Sequence, residues 1–280
     1  MNKEILIICR GGGDLATGIV HRLFRAGYQV LILETAEPAA IRRQVSFCEA
    51  VYEGTATVEG VTAERICTAK KQTVEEVLQR GRIPLLVDPD GRAIEVLKPD
   101  VVVDAIIAKK NLGTYKEMAP LVIGIGPGFE AGKDVHLVVE SMRGHNLARI
   151  LETGSALANT GIPGNIGGYT KERVIHAAAE GYMKNLHQIG DVVQKGEEIA
   201  RIYEQMSPDG VFSGRFVSVE ATIPGVLRGL IREGYHFQKG FKIADIDPRE
   251  SELANCFTIS DKASSIGGSV LEAVCRYVNG

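Results

Sequence analysis

Hydrophobic and polar positions follow two rhythms along the chain, and the switches between them mark its elements. Glu4 to Cys9 (EILIIC) is a short β-rich run suited to a strand buried on both faces. From Asp14 the rhythm becomes helical: Leu15, Ala16, Ile19, Val20, Leu23 and Phe24 share a stripe, and Gly27 stands where the helix must stop. YQVLILE then gives a second strand ending at Glu34. Strand, glycine turn, helix and strand make a βαβ unit, whose crossover is expected to be right-handed. Further on, IPLLVD, DVVVDAII (Asp100 to Ile107) and APLVIGIGPGF read as more parallel strands. SFCEAVYEGTATVEGVTAERIC reads as short strands with a hairpin around Gly54 or Gly60, and TVEEVLQRG as a helix capped by Thr73 with Glu76 three residues on. In DVHLVVESMRGHN, strand alternation puts Asp134, His136, Val138 and Glu140 on one face and Val135, Leu137 and Val139 on the other.

The second half carries a repeat. Arg173 to Ile202 aligns without gaps on Val217 to Ile246 at a constant offset of 44, with ten identities over thirty positions. Ala177, Gly181, Leu186 and Gly190 recur as Ala221, Gly225, Leu230 and Gly234, and Gln194–Lys195–Gly196 recurs as Gln238–Lys239–Gly240. The repeated glycines mark turns, and the repeated apolar positions face one shared core. This resembles the barrel-sandwich hybrid of biotinyl and lipoyl domains, where a modified lysine sits on the hairpin joining the halves. Here the joint, Tyr203 to Phe216 (YEQMSPDGVFSGRF), contains no lysine, so neither biotin nor lipoate is expected. The expected class is an α/β Rossmann-like parallel sheet domain over 1–165 plus an all-β barrel-sandwich hybrid domain over 166–250. Residues 251–280 form a C-terminal segment whose helix, striped by Val270, Leu271, Val274, Cys275 and Val278, is expected to pack back on the first domain.

Composition narrows the partners. The net charge is −3, tryptophan is absent and no Lys/Arg run stands out, which argues against nucleic acid. No apolar run approaches the roughly 18 residues of a membrane helix, and no cleavable leader is evident, so a cytoplasmic location without membrane contact is expected. Five scattered cysteines without a CxxC pair fit neither a disulfide framework nor a zinc ribbon.

The candidate chemistry begins at the first glycine turn. Gly11, Gly13 and Ala16 satisfy G-x-G-x-x-G/A, and Glu34 lies 21 residues after Gly13, where an acid can accept ribose hydroxyls. Free amides of Gly11, Gly12, Gly13, Asp14, Leu15 and Ala16 at a positive helix end favour an anion, and Arg10 can add a phosphate contact. Asp104 ends a strand where ligands gather in such sheets. The ligand expected is NAD(P) or another dinucleotide; Arg42 and Arg43 could accept a 2′-phosphate, leaving NAD against NADP open. Catalytic candidates are His136, His145, Lys109 and Cys256, with Lys109–Asn111 able to face an anion. Asp134, His136, Glu140 and His145 lack the tight spacing of a metal motif, and no metal is expected. SSIGG (Ser264 to Gly268) is a second candidate anion nest.

Several blocks together, GGGDLATGIVHRLFRAGYQVLILE, RRQVSFCEAVYEGTATVEGVTAE, GIGPGFEAGKDVHLVVESMRGHNLARI, NTGIPGNIGG and CFTISDKASSIGGSVLEA, resemble the YqeB-type selenium-dependent molybdenum hydroxylase system proteins. The resemblance covers nearly the whole chain, with Ala148 standing where glycine is expected. It implies an accessory role in maturing a molybdenum hydroxylase that uses labile selenium. It also implies a nucleotide-bearing ligand such as a molybdopterin dinucleotide, and the hydroxylase client or its cofactor-maturation machinery as partner. It brings no established catalytic residues. Two alternatives stay open: a free-standing NAD(P)-dependent oxidoreductase on a small molecule, and a chalcogen-transfer factor using Cys256 or Cys48. Whether a reaction is catalysed, and whether the chain forms a homo-oligomer, are left open.

Overall fold

A computed structural model describes residues 5–159, 161 and 164–280. Glu4 of the first apolar run, and Thr160, Ile162 and Pro163 of the NTGIPGNIGG block, lie outside the described residues. The chain divides into two units, the first made of 1–38, 45–160 and 259–280, the second of 39–44 and 161–258.

The first unit runs β1 (Leu6–Arg10), α1 (Asp14–Arg25), β2 (Gln29–Glu34), α2 (Ala50–Glu53), β3 (Thr55–Val58), β4 (Val61–Ile66), α3 (Lys71–Gln79), β5 (Ile83–Val87) and α4 (Arg92–Leu97). It continues with β6 (Val101–Asp104), β7 (Leu121–Ile125), β8 (Glu130–Ala131), β9 (Leu137–Val139), β10 (Ile150–Leu151), β11 (Gly154–Ser155) and, after the second unit, α5 (Asp261–Asn279). Nine strands form one sheet in the order β10-β9-β7-β6-β1-β2-β5-β4-β3. The inner strands are parallel, while β3 pairs antiparallel with β4 and β10 antiparallel with β9.

Continuous apolar strands arise because both faces of this sheet are covered. Ile7, Ile32, Leu85, Val103 and Ile123 pack with Ile19 and Leu23 of α1 and Ile266 and Val270 of α5. Ile8, Leu31, Val102 and Val122 pack with Val74 and Val77 of α3 and Ile94 of α4. Helices α1 and α5 approach closely because small residues face each other. A Cβ on Gly18 would stand 2.7 Å from that of Ala263, and one on Gly267 2.6 Å from the Gly18 carbonyl oxygen. Gly18 lies near Ala263, Arg22 near Ser264 and Tyr28 near Cys275, so the two helices run in the same direction. SSIGG is therefore helix interior, with Gly267 spent on packing, and is not an anion nest.

The second unit contains β12 (Val174–His176), β13 (Gly181–Asn185), β14 (Val192–Val193), β15 (Glu198–Met206), β16 (Phe212–Glu220), β17 (Gly225–Leu230), β18 (His236–Phe237) and β19 (Lys242–Asp247). They form two antiparallel sheets, β12-β19-β17-β14 and β16-β15-β13-β18. The 44-residue repeat carries one sheet onto the other in register. Tyr182 faces Tyr203 as Val226 faces Asp247, and Ser218 faces Arg201 as Val174 faces Asp245. Both inner faces share one core, with Met183, Ile202 and Val219 from one sheet and Leu227, Ala244 and Ile246 from the other.

The expected class needs correction on both counts. The first unit has a nine-stranded mixed sheet, antiparallel at both edges, in place of a Rossmann-like parallel sheet. The connections β6 to β7 and β7 to β9 contain no α-helix among the described residues. The second unit is a pair of separate four-stranded sheets: no ladder joins them among the described residues, so it is not the biotinyl/lipoyl-like barrel-sandwich hybrid. Its copies are also unequal, since β16 is nine residues long and its counterpart β12 only three. Apolar runs and repeats specify strands and neighbours; they do not specify sheet edges or closure. Two local expectations shift as well. Helix α3 starts at Lys71, so Thr73 lies in its first turn and not at the cap. Strand β9 covers only Leu137–Val139, and Glu140 is buried, so no solvated polar row exists there.

Candidate functional site

The parallel strands of the first unit all end on the side of the sheet where α1 begins, and Arg10, Gly11–Gly13, Glu34 and Asp104 meet there. Strand β1 leaves the sheet at Arg10, and Gly11 turns with φ +99°. A Cβ on Gly11 would stand 2.9 Å from the Ala105 carbonyl, so only glycine permits β1 and β6 to diverge this closely. Gly13, the N-cap of α1, has no side chain with which to bond the first-turn amides.

Glu34 is close to the turn, as its spacing from Gly13 requires, but its role differs from ribose recognition. Its carboxylate accepts the Gly12 N–H at 2.7 Å and the Thr35 N–H at 2.7 Å. The Gly11 N–H donates to the Leu33 carbonyl, and the Gly12 carbonyl accepts from Cys48 N–H and the Thr17 hydroxyl. The glycine turn thus holds an anion of its own, the Glu34 carboxylate. Burial pushes that carboxyl above the usual range, and the Thr35 and Gly12 amides pull it back.

Arg10 is equally committed. It is 3 % exposed and donates to the Thr114 hydroxyl at 2.5 Å, to the Pro89 carbonyl at 3.2 Å and to the Leu112 carbonyl at 3.4 Å. Thr114 donates in turn to Asp104 at 2.5 Å, and Arg10 lies 3.7 Å from the same carboxylate. Burial raises the Asp104 carboxyl above its ordinary value; Thr114, the Ile106 amide and Arg10 oppose the rise. This buried network fixes the loop after β6, where Ile107 and Lys109 hold φ of +60° and +62°. A β-branched residue in that region is a strained one, and such strain collects where a surrounding structure over-determines the backbone. Lys109 itself is exposed.

The remaining candidates are scattered, although Cys48 lies beside the turn, where its N–H donates to the Gly12 carbonyl. His136 precedes β9, and its Nδ1 accepts the Val122 N–H at 2.9 Å. It lies at the opposite end of the parallel strands, roughly 13 Å of extended chain from Glu140. Burial lowers the basicity of its imidazole, with Lys116 adding to the effect. His145 is exposed in the loop between β9 and β10. Cys256 belongs to the second unit and is 1 % exposed, and burial pushes its thiol up; Cys48 is buried too, with its thiol pushed up by burial and by Glu34. Neither thiol is disposed to form a thiolate. Arg42 and Arg43 also belong to the second unit, donating to the Asn255, Thr258 and Leu230 carbonyls. Among the described residues no group of three His, Cys, Asp or Glu is arranged to hold a metal ion.

Two side chains escaped the reading of the sequence. Thr114 ties Arg10 to Asp104, and nothing in its surroundings as a sequence marks it. Lys262, half-buried in the first turn of α5, lies within electrostatic reach of Asp14, Glu140, Asp261 and Arg143. Burial lowers its basicity, and Arg143 adds to the effect. Its signal was available: a lysine two residues after the capping Ser260 is the wrong charge for a helix N-terminus.

These features define an α/β unit with a nine-stranded mixed sheet and a rigid strand-end turn, accompanied by an all-β unit built on an internal repeat. The chain is 46 % identical over 274 residues to the uncharacterized protein YqeB of Escherichia coli (strain K12), a match covering 98 % of this chain and 48 % of that protein. The chain spans about half the length of this curated relative. No protein-family model matches it. Among solved structures, the ectoine utilization protein EutE (DoeB) from Ruegeria pomeroyi is 11 % identical with a TM-score of 0.28, covering 87 % of this chain and 85 % of that one. An aspartoacylase family protein from Mesorhizobium loti is 11 % identical at a TM-score of 0.29, covering 89 % and 86 %. A succinylglutamate desuccinylase from Silicibacter sp. TM1040 is 13 % identical at 0.25, covering 88 % and 85 %. At such TM-scores these likenesses carry no argument. No helix among the described residues is long and apolar enough to cross a membrane.

Proposed function

We propose that the chain is an accessory protein in the maturation of a selenium-dependent molybdenum hydroxylase, which handles a ligand without transforming it. The observation that carries this reading is the build of the strand-end site. Its buried groups, Arg10, Thr114, Asp104 and Glu34, are spent on holding loops. Of the groups suited to proton transfer, His136 stands at the other end of the strands, His145 and Lys109 are exposed on loops, and the thiols of Cys48 and Cys256 are buried. A rigid turn whose acids are committed to holding loops and whose thiol is buried favours binding over catalysis. The proposed ligand is nucleotide-bearing, NAD(P) or a molybdopterin dinucleotide, with its phosphates at the uncapped first turn of α1. The Gly12 amide, held by Glu34, and the Gly11 amide, bonded to the Leu33 carbonyl, are not available to it.

Two measurements test the reading. Calorimetry of the purified chain with NAD, NADP and a molybdopterin dinucleotide should give saturable binding to one of them. Deletion of the gene should leave the hydroxylase apoprotein present but inactive. Absence of binding at about 1 mM, a ligand contribution of only about 4 kcal/mol, together with full hydroxylase activity in the deletion strain, would sink the proposal.

A further inference from the structure

Lys262 is a half-buried cation that the first unit leaves without a partner. It lies in the first turn of α5, two residues after the capping Ser260, and makes no hydrogen bond and no ion pair among the described residues. The nearest carboxylates are engaged elsewhere. Asp261 accepts the Arg143 guanidinium at 2.7 and 2.8 Å. Glu140, 3 % exposed, accepts the Met142 and Leu157 N–H groups at 2.6 and 2.8 Å. A cation in the first turn of a helix opposes the helix dipole, and burial strips water from it. Nothing bonds this amine in place.

Its position over the sheet is fixed from two sides. Lys262 is within electrostatic reach of Asp14, which follows the β1 turn, and of Glu140, which follows β9. Strands β6 and β7 lie between β1 and β9. Three strand spacings of about 4.8 Å set those two ends roughly 14 Å apart, so the amine stands over the ends of β6 and β7. Two loops leave the sheet there. After β6, the Ile106 N–H donates to Asp104 at 3.1 Å, and Asn111 and Thr114 bond each other twice at 2.7 Å. Between these anchors Ile107 and Lys109 hold φ of +60° and +62°. Lys109 and Lys110 are exposed and, like Lys262, make no hydrogen bond or ion pair among the described residues. An exposed Lys109 adds no packing, so glycine or asparagine would serve the backbone better at that φ. After β7, Gly128 lies against the same loop: its Cβ would stand 2.8 Å from the Lys110 Cα. The space beyond Gly13 is open, since a Cβ there would meet nothing within 4 Å.

We propose that Lys262, together with Lys109 and Lys110, clamps the diphosphate of the ligand across the ends of β6 and β7. Lys262 meets it from the α5 side, and the strap Ile107–Lys110 meets it from the β6 side. A diphosphate spreads its negative charge over two phosphoryl groups, which suits amines carried by two separate elements better than a lone carboxylate does. This clamp rests on the reading of the strand end as a nucleotide site, and it supplies the charge that the turn lacks with Arg10 spent on Thr114 and Asp104.

The test uses the full chain with inorganic pyrophosphate, and separately with NAD and NADP. Calorimetry should show pyrophosphate binding that Lys262→Met weakens at least about tenfold, a loss of about 1.4 kcal/mol. Lys262→Arg, which keeps the charge, should recover most of it. Lys109→Asn, which suits the positive φ, should unfold no earlier than wild type yet bind pyrophosphate more weakly. Lys133→Met, at an exposed lysine before β9, should change nothing. In the wild-type chain, reductive methylation of Lys262, read by peptide mass, should slow when pyrophosphate is bound, and that of Lys133 should not. No pyrophosphate binding at about 1 mM, equal binding by Lys262→Met, or unchanged methylation of Lys262 would overturn the proposal. So would displacement by an equal concentration of sulfate, the mark of an adventitious ion only. Dinucleotide binding that survives Lys262→Met would sink the clamp and leave the nucleotide site standing. Pyrophosphate binding that needs Lys262, with no dinucleotide bound, would uphold the clamp and sink the nucleotide site.

Discussion

Replacing Arg10 by methionine separates a structural arginine from a phosphate-binding one. Methionine fills much of the same volume but removes three donated hydrogen bonds, to Thr114, Pro89 and Leu112. It also leaves Asp104, 2 % exposed, without the cation 3.7 Å away. Breaking a buried pair from one side costs about 3–5 kcal/mol, because the remaining charge is uncompensated. The Arg10→Met variant should therefore lose that much in urea unfolding. The helical far-UV signal reports the first unit alone, since every α-helix among the described residues belongs to it.

The deficit should also depend on pH. The Asp104 carboxyl is raised in the fold, and losing Arg10 raises it further. A carboxyl raised above its unfolded value binds its proton more tightly when folded. Its destabilising contribution is therefore full at pH above the folded pKa and vanishes as pH falls through that value to the unfolded one. The cost of Arg10→Met should accordingly shrink from neutral pH towards pH about 4. Adding Asp104→Asn should recover part of the loss, with a coupling of about 0.5–3 kcal/mol. A cost below about 1 kcal/mol, unchanged with pH, would refute the argument. It would return Arg10 to the role of a replaceable contact for ligand.

Two further outcomes follow from packing. Gly267→Val should destabilise the first unit by at least about 1–3 kcal/mol, because its Cβ would stand 2.6 Å from the Gly18 carbonyl oxygen and helix α5 must move away from α1; thermal unfolding that matches wild type would contradict this. Under native conditions N-ethylmaleimide should label Cys67, the exposed cysteine, first, while Cys9, Cys48 and Cys256 react only after unfolding. Fast native labelling of Cys48 or Cys256, read by peptide mass, would revive a chalcogen-transfer role.

The sequence reveals neighbours more readily than it reveals roles. The run into Arg10, the glycine turn and the stripe from Leu15 to Phe24 all recur as β1, turn and α1, because burial on both sheet faces and a tight exit demand those residues. The hairpin expected around Gly54 or Gly60 turns at Glu59–Gly60, both at positive φ. The Gly13-to-Glu34 spacing correctly brings the acid to the turn. It cannot tell whether the carboxylate will accept a ribose hydroxyl or the Gly12 amide, because both need an acid at that spot. Arg10 lies 104 residues before Thr114, which follows Asp104 by only 10, and their network exists only once β1 and β6 are adjacent.

The repeat presents the same limit from the other side. Eight of its ten identities are glycine, alanine or larger apolar residues and two, Gln194 and Lys195, are polar residues at a turn, which is why one sheet maps onto the other in register. Its differences fall in the core as well as on the outer faces: Leu227 answers Met183, and Arg201 stands where the other copy has Asp245. Identity between the copies thus records what folds the unit.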